Sequence, residues 1–261
     1  MCNKILTDEQ SIDYIVRGGD YWQMLGSIRG SENHHQGNLS WVSGHVECAY
    51  SIKLEGPDYN KEVEEIIRKV EDKEIPYRLI ITPNSAPPEV DVCGLFLLHN
   101  NFDVESNYGM IKELSSDLVF PALPQNVNLF RVNDIYQLKS AGSILNSAFE
   151  YDFFSFEHYL DIFNIPSNHF YLAECDGIPA GALMAIHNND LVEISWVGTL
   201  KGYRKKGIAK HLIHMAEKDA IHKGISISTI SAFADAANAY INAGYRKCCE
   251  IKVVVHYTPA V

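Results

Sequence analysis

The sequence has no long apolar run: nothing in its 261 residues approaches the roughly 20 consecutive apolar residues that cross a bilayer. It also lacks an N-terminal basic stretch followed by an apolar one, the pattern of a signal peptide. Its six cysteines stand at no metal-ligand spacing, and neither a Ser/His/Asp nucleophile motif nor a phosphate-binding P-loop is present. These absences predict a cytoplasmic, metal-free protein with reduced thiols, and they exclude a membrane-spanning one.

Positive charge is also scarce, because 22 Lys and Arg face 33 Asp and Glu, for a net charge of −11. The deficit lies in residues 1–125, with 10 basic against 20 acidic residues, whereas residues 126–261 have 12 against 13. Phosphate affinity depends on clustered Lys and Arg, so neither nucleic acid nor an anionic membrane is an expected partner. The acidic part either attracts a cationic acceptor or is a solvated surface that aids solubility.

A proline-containing stretch separates two strongly patterned parts of the chain. Pro121 and Pro124 exclude a regular element there, which predicts domains at 1–118 and 128–261 and a linker at 119–127. The hydrophobic pattern of the second part predicts helices at 134–150, 155–163, 208–223 and 234–243 and strands at 128–132, 169–175, 180–187, 191–199, 226–231 and 245–257, the last straight or bent. The first part has a related rhythm, with helices at 61–71 and 88–99 and strands at 49–54 and 77–82.

The sequence also contains a basic turn between a predicted strand and a predicted helix. It reads Arg204-Lys205-Lys206-Gly207-Ile208-Ala209. The first amides of a helix have no intrahelical partner and form the positive end of the helix dipole, so anions bind there. A glycine also lets a phosphate approach the backbone. Outside this strand–turn–helix context, such a basic cluster indicates only a solvated surface.

A second motif lies downstream, where a helix that carries Tyr240 ends at Gly244 and Tyr245 follows. Together the turn and the tyrosine resemble the GNAT N-acetyltransferase family from residue 128 onward. The resemblance implies an acyltransferase that moves an acetyl group from acetyl-CoA to the amine of a small molecule or peptide. It implies an α+β fold of two tandem GNAT-like halves, each a mixed, mostly antiparallel twisted sheet flanked by helices.

The resemblance also assigns the acyl-donor residues. The backbone of the turn would bind the pyrophosphate of acetyl-CoA, with added contacts from two basic side chains, and the end of the preceding strand would pair with the pantetheine arm. The residues concerned are Arg204, Lys205, Lys206, Gly207, Ile208 and Ala209 in the turn, and Val197, Gly198 and Thr199 in the strand. In isolation, Val-Gly-Thr indicates an ordinary strand end.

Two residues are candidates for catalysis. Tyr240 occupies the family position of the general acid, since a phenol with a pKa of about 10 stays protonated at neutral pH and can protonate the departing thiolate. Alternatively Tyr240 packs on the sheet. Glu193 stands in an apolar strand, where a carboxylate is costly without a use, and its offset from Arg204 is similar to that of a catalytic glutamate. It is either the general base or a structural partner of a neighbouring strand.

An aromatic and acidic stretch marks the expected acceptor region, between the first helices of the second part and the first part. Its side chains would form a pocket for an amine or, alternatively, pack as core. The residues are Phe149, Glu150, Tyr151, Asp152, Phe153, Phe154, Phe156, Glu157, Tyr159 and Phe163.

The first part lacks the basic turn. At the corresponding place, 55–60, it has acidic residues that would repel a pyrophosphate. Its sequence around Trp41 and Phe102 is similar to that of the amino-terminal half of tandem GNAT proteins. This similarity implies a degenerate copy without a CoA turn. Such decay leaves a second hypothesis open for the whole chain: a catalytically inactive module that binds CoA or a protein partner.

Overall fold

The computed structural model of the protein describes residues 6–17, 19–150 and 154–257. They form two compact units. Unit one consists of Met110–Ser231 and Ala236–Lys247 together with Leu6, and unit two consists of Thr7–Gly109, Ala232–Asp235 and the chain from Cys248 onward. The units therefore alternate along the chain, whereas the predicted domains are contiguous; the boundaries at 118 and 128 stay a prediction.

The helices and strands of these residues follow the predicted order. The helices are α1 Asp8–Val16, α2 Gly19–Leu25, α3 Tyr59–Glu71, α4 Val92–Leu97, α5 Ile135–Phe149, α6 Phe156–Phe163, α7 Ile208–His222 and α8 Ala237–Ile241. The strands are β1 Ser31–Gln36, β2 Leu39–Gly44, β3 Cys48–Ile52, β4 Arg78–Ile81, β5 Phe102–Glu113, β6 Val127–Arg131, β7 Asn168–Cys175, β8 Ile178–His187, β9 Leu191–Thr199, β10 Ile227–Phe233 and β11 Arg246–His256. None of the helices described is long and apolar enough to cross a membrane.

Unit one is a mixed sheet between helices. Its strands run in the order β5-β10-β9-β8-β7-β6, antiparallel from β6 to β9 and parallel between β9 and β10. A Cβ on Gly198 would meet α5, and one on Gly181 would meet α7, so the two helices cover opposite faces of the sheet. This arrangement confirms the predicted α+β fold.

Local chemistry explains where these two helices form. The Asp134 carboxylate caps α5 by accepting from the amides of Tyr136 and Gln137. Helix α7 buries Leu212, Ala216 and other apolar residues at helical spacing against the sheet. Each fully buried large apolar side chain contributes roughly 1.5–3 kcal/mol, which outweighs the weak intrinsic propensity of such short helices.

Unit two has the strand order β1-β2-β3-β4-β11-β5. Helix α3 buries Val63, Ile66, Ile67 and Val70 in its core, and Phe96 of α4 lies in the same core. The sequence pattern missed α1, α2 and β1. Strand β1 is polar throughout, so it carries no alternation that would predict a strand.

Two predicted elements differ in length or shape. The helix predicted at 234–243 has five residues, because Ala243 and Gly244 form a turn in which Gly244 has φ +97° and the Ala243 carbonyl accepts from Lys112 Nζ. Strand β11 is one continuous strand, so the bent pair that was the alternative is not found. Of the five described cysteines, Cys48 and Cys175 are buried and the others are partly exposed.

Candidate functional site

The site begins where two parallel strands part. Strands β9 and β10 pair from Leu191 with Ile227 to Ile194 with Ile230, although β9 continues to Thr199. Beyond Ile194 the edge of β9 that faces β10 has no partner in that register. Unpaired strand edges accept an extended chain by backbone hydrogen bonding. The predicted pantetheine residues Val197, Gly198 and Thr199 all lie in this part of β9, which pairs with β8 on one edge but not with β10 on the other.

The basic turn follows this strand and leads into α7. A short 3-10 helix, Lys201–Tyr203, precedes it, and Lys205 and Gly207 have φ +64° and +78°. No side chain caps α7 at Gly207. Within the described residues, the amides of Ile208, Ala209 and Lys210 have no backbone partner, since the first such bond runs from His211 N to Gly207 O. The turn is solvent-exposed, while Ile208 is buried and anchors it.

Its basic side chains have different surroundings. Lys201 Nζ lies 2.8 Å from Glu150 Oε1, and this ion pair lowers the pKa of the exposed Glu150 carboxyl. Lys206 Nζ lies 5.0 Å from the centre of the Tyr203 ring. Lys205 and Lys210 have no carboxylate within ion-pair distance in the part of the chain described. The turn therefore keeps positive charge beside unused amides.

Arg204 and Gly198 have packing roles that the sequence did not reveal. Arg204 donates from Nε to Thr199 O at 3.0 Å and from a terminal nitrogen to Ala148 O at 3.3 Å, so it ties the turn to the end of α5. A Cβ on Gly198 would lie 2.9 Å from Ala148 Cβ, which is too close. Their predicted contacts with an acyl donor remain predictions.

Tyr240 lies on α8, half-buried, with its ring centre 6.3 Å from that of Tyr245. In the turn that follows, the amides of Ala243 and Tyr245 each donate to the Tyr240 carbonyl. The Tyr245 hydroxyl is instead buried and shares a 2.5 Å hydrogen bond with Ser228 Oγ. Burial raises the pKa of Tyr245 well above its usual value, so of these two phenols Tyr240 is the one placed near solvent.

A buried ion pair lies under this segment. Lys112 Nζ donates to Glu217 Oε2 at 2.6 Å and to Ala243 O at 2.9 Å. Burial raises the pKa of Glu217, and the Lys112 charge opposes that effect. Sequence reasoning did not identify this pair. The available signals were a lysine directly after the apolar Met110 and Ile111, and a glutamate on the apolar face of α7.

Glu193 is half-buried on β9, opposite Ile186 on one side and Thr229 on the other. The pairing of β8 with β9 shifts register between Met184 and Ala185, which leaves Ser195 as an extra residue. Because this bulge interrupts the alternation of faces, Glu193 and Val197 lie on opposite faces of the strand, whereas simple alternation would place them on one. The choice between a base and a structural role for Glu193 stays open.

Part of the expected acceptor region lines a pocket of about 500 Å³ between α5 and α6, although Phe149, Glu157 and Phe163 are not among its walls. Glu150, Phe154, Phe156 and Tyr159 are among its walls. Tyr159 is also core, since its hydroxyl donates to Asn146 Oδ1 and its ring packs against Phe170 and Trp196. Three further members of the predicted set, Tyr151, Asp152 and Phe153, lie outside the described residues.

In unit two, the corresponding strand–turn–helix, β3 to α3, has its amides occupied by protein carboxylates. The Glu62 side chain accepts from the amides of Glu55 and Gly56, at 3.2 and 2.6 Å. Asp58 caps α3 by accepting from the Lys61 amide. Within the described residues, three amides of this turn are thus occupied by carboxylates, whereas the first three amides of α7 have no such partner.

His, Cys, Asp and Glu side chains do not gather in threes as metal ligands would, as far as the described residues go. The helical pair His211 and His214 lies buried on α7, and the His214 ring packs against Phe120.

Comparison with known proteins agrees with this geometry. Residues 135–249 match the acetyltransferase (GNAT) family. A GCN5-related N-acetyltransferase from Kribbella flavida superposes with a TM-score of 0.67 at 17% identity, covering 95% of this chain and 96% of its own. A tandem GNAT protein from the clavulanic acid biosynthesis pathway superposes with a TM-score of 0.60 at 13% identity, covering 99% and 97%. No curated protein matches the chain in sequence.

The match of residues 135–249 to this family agrees with the resemblance carried by the turn and the tyrosine, both of which lie within the matched residues. At such low identities the solved structures establish the fold alone, and that fold is similar to a tandem GNAT protein.

Proposed function

We propose that this protein is an acetyl-CoA-dependent N-acyltransferase with one acyl-donor site, at the start of α7. The observation that carries the proposal is the uncapped amino terminus of α7, placed directly after the unpaired end of β9. An extended thioester with a pyrophosphate fits this combination, because its amide-bearing arm can pair with the strand and its phosphates can bind the helix amides.

The residues of the turn suit a pyrophosphate. Gly207 has no side chain between solvent and the amides of Ile208 and Ala209. A residue with a side chain would also be strained there, because the position has a positive φ. Lys205 and Lys206 add positive charge at the exposed rim. Arg204 fixes the turn to the carbonyls of Thr199 and Ala148, which keeps the amides in place before the donor binds.

The proposed reaction is a direct transfer. A neutral amine attacks the thioester carbonyl carbon, the C–S bond breaks, and the sulfur leaves as a thiolate that takes a proton from the Tyr240 hydroxyl. The amine loses its proton to Glu193, directly or through water. The acceptor would be an amine of a small molecule or peptide, and backbone amides at the end of β9 would stabilise the developing oxyanion.

Unit two would not bind an acyl donor. Glu62 and Asp58 already occupy the amides of Glu55, Gly56 and Lys61, and their charge would repel a pyrophosphate. This supports the view of unit two as a degenerate GNAT-like copy without a CoA turn.

A titration with acetyl-CoA tests the proposal by thermal shift, followed by thiol release across a panel of amines and peptides. Donor at a hundred times its dissociation constant should stabilise the protein by about 2.7 kcal/mol. Absence of any stabilisation by acetyl-CoA or CoA would refute the donor site. Stabilisation without thiol release for any acceptor would instead favour an inactive CoA-binding module.

A further inference from the structure

A second cluster of ionisable side chains lies in unit one, around His169 at the start of β7. A terminal nitrogen of Arg131 lies 2.7 Å from His169 Nδ1, and Lys223 Nζ lies 2.6 Å from His169 Nε2. Lys223 Nζ is also 3.2 Å from His187 Nδ1. The proposed acyl transfer uses none of these residues.

The contacts around His169 contain more donors than acceptors. Arginine has only donors, and a neutral imidazole has one N–H and one acceptor nitrogen. If Lys223 donates to Nε2, the ring proton is on Nδ1 and points at the Arg131 guanidinium. If Arg131 donates to Nδ1, the ring proton faces Lys223. In either tautomer one N–H meets a cationic donor, so the cluster lacks an acceptor.

Its two cations, Arg131 and Lys223, are solvent-exposed, and the Asp219 carboxylate acts on Lys223 from beyond ion-pair distance. Within the described residues, neither Arg131 nor Lys223 has a carboxylate at ion-pair distance. The nearby carboxylate of Asp219 accepts from the Tyr171 hydroxyl at 3.1 Å, and Tyr171 in turn contacts His187. Burial, reinforced by the surrounding cations, lowers the pKa of His169 to about 4, so the ring is neutral and the cluster keeps a net positive charge from Arg131 and Lys223 against Asp219.

A cavity adjoins this cluster. It has a volume of about 420 Å³, and its polar walls include Arg131 and His169 while its apolar walls include Phe163, Ile165 and Pro166. The Arg131 side chain has a single protein partner, His169, in the contacts described, so further guanidinium N–H groups can face a ligand. The lining thus combines a cationic end with an apolar body.

We propose that this cavity binds a small carboxylate with an apolar body, held by the Arg131 guanidinium and packed against Phe163. The carboxylate gives Arg131 an acceptor and a negative counter-charge, in the bidentate geometry that guanidinium favours. The site is separate from the acyl-donor turn. Lys223 follows the last residue of α7, and the turn precedes the first, about 20 Å away along a 15-residue helix.

Isothermal titration at pH 7 with hexanoate tests the proposal, with hexanamide as the uncharged probe and inorganic phosphate as the anion without an apolar body. Hexanoate is expected to bind, hexanamide and phosphate to bind at least tenfold more weakly, and saturating acetyl-CoA to leave hexanoate binding unchanged. Equal binding of the amide, preference for phosphate, or displacement by acetyl-CoA would overturn the site.

Two variants locate the contacts. Arg131→Gln should weaken hexanoate binding at least tenfold, whereas Arg68→Gln, on an exposed helix of unit two, should leave it unchanged. Phe163→Ala should weaken hexanoate more than acetate. Thermal unfolding of each variant verifies the fold, and unchanged hexanoate affinity in a folded Arg131→Gln protein would contradict the proposal.

Discussion

Lys112 Nζ donates to Glu217 Oε2 at 2.6 Å, and the two side chains are only 8% and 0% exposed. The same ammonium donates to Ala243 O, in the turn that ends the helix of Tyr240. A Cβ on Gly244 would lie 3.3 Å from Lys112 Cε, so the turn and the lysine fit closely. One buried ion pair thus connects β5, α7 and the segment that presents the candidate acid.

Removing one partner of this pair should destabilise the protein strongly, because the other charge stays buried and unpaired. For Lys112→Met and for Glu217→Gln we expect losses of about 3–5 kcal/mol in the free energy of unfolding, measured by urea denaturation.

The double variant Lys112→Met with Glu217→Gln is the matched control, since it removes both charges and should be less destabilised than Lys112→Met alone. If instead the two single losses simply add in the double variant, the pair is not coupled.

Much of unit one could be predicted from sequence because its signals are local. Alternating apolar residues define β7 to β9, and Asp134 and Gly224 mark helix ends through capping and positive φ. The turn at Gly207 and the tyrosine at 240 were found for the same reason. Each is recognisable from a few consecutive residues.

The remainder depends on contacts between residues distant in the chain. Lys112 and Glu217 are 105 positions apart, and Arg204 meets Ala148 across 56, so no local pattern pairs them. The bulge at Ser195 is set by the register of β8 against β9, which reverses the side-chain direction that simple alternation predicts.

Gly207→Ala should weaken acetyl-CoA binding at least tenfold, because alanine disfavours the positive φ of +78° at this position and would shift the turn that leads into the helix amides. Calorimetric titration of the folded variant measures this. Gly202→Ala is the control: that glycine has no heavy atom within 4 Å of an added Cβ and no positive φ. Equal affinity in the two variants would contradict phosphate binding at the turn.

Tyr240→Phe should lower kcat at least tenfold and leave acetyl-CoA affinity within about twofold, because general-acid catalysis contributes about 10²–10⁴-fold. Steady-state thiol release and calorimetry separate the two quantities. Tyr136→Phe, at a tyrosine 79% exposed on α5, should change neither. A Tyr240→Phe enzyme with undiminished kcat would exclude the hydroxyl from proton transfer.

Glu193→Gln distinguishes a base from a structural residue. As a base, its loss should lower kcat/KM and abolish the acidic limb of the pH profile, because Gln cannot accept the amine proton. A structural role predicts a lower free energy of unfolding and an unchanged profile shape. The decisive measurement is kcat/KM from pH 5 to 9 for both proteins.

Acid should destabilise the protein through its buried histidines. Burial lowers the pKa of His187 to about 3 and that of His169 to about 4, whereas an unfolded histidine titrates near 6.5. Between these values the unfolded chain binds more protons than the folded one. The stability that these rings contribute is therefore fully present above about pH 6.5 and falls as pH decreases, by at most about 1.4 kcal/mol per pH unit for each ring.

Urea midpoints at pH 7, 6 and 5 measure how steeply the stability falls with pH. His187→Gln should reduce this slope by the contribution of one ring. An unchanged slope in that variant would show that His187 is not the group being protonated.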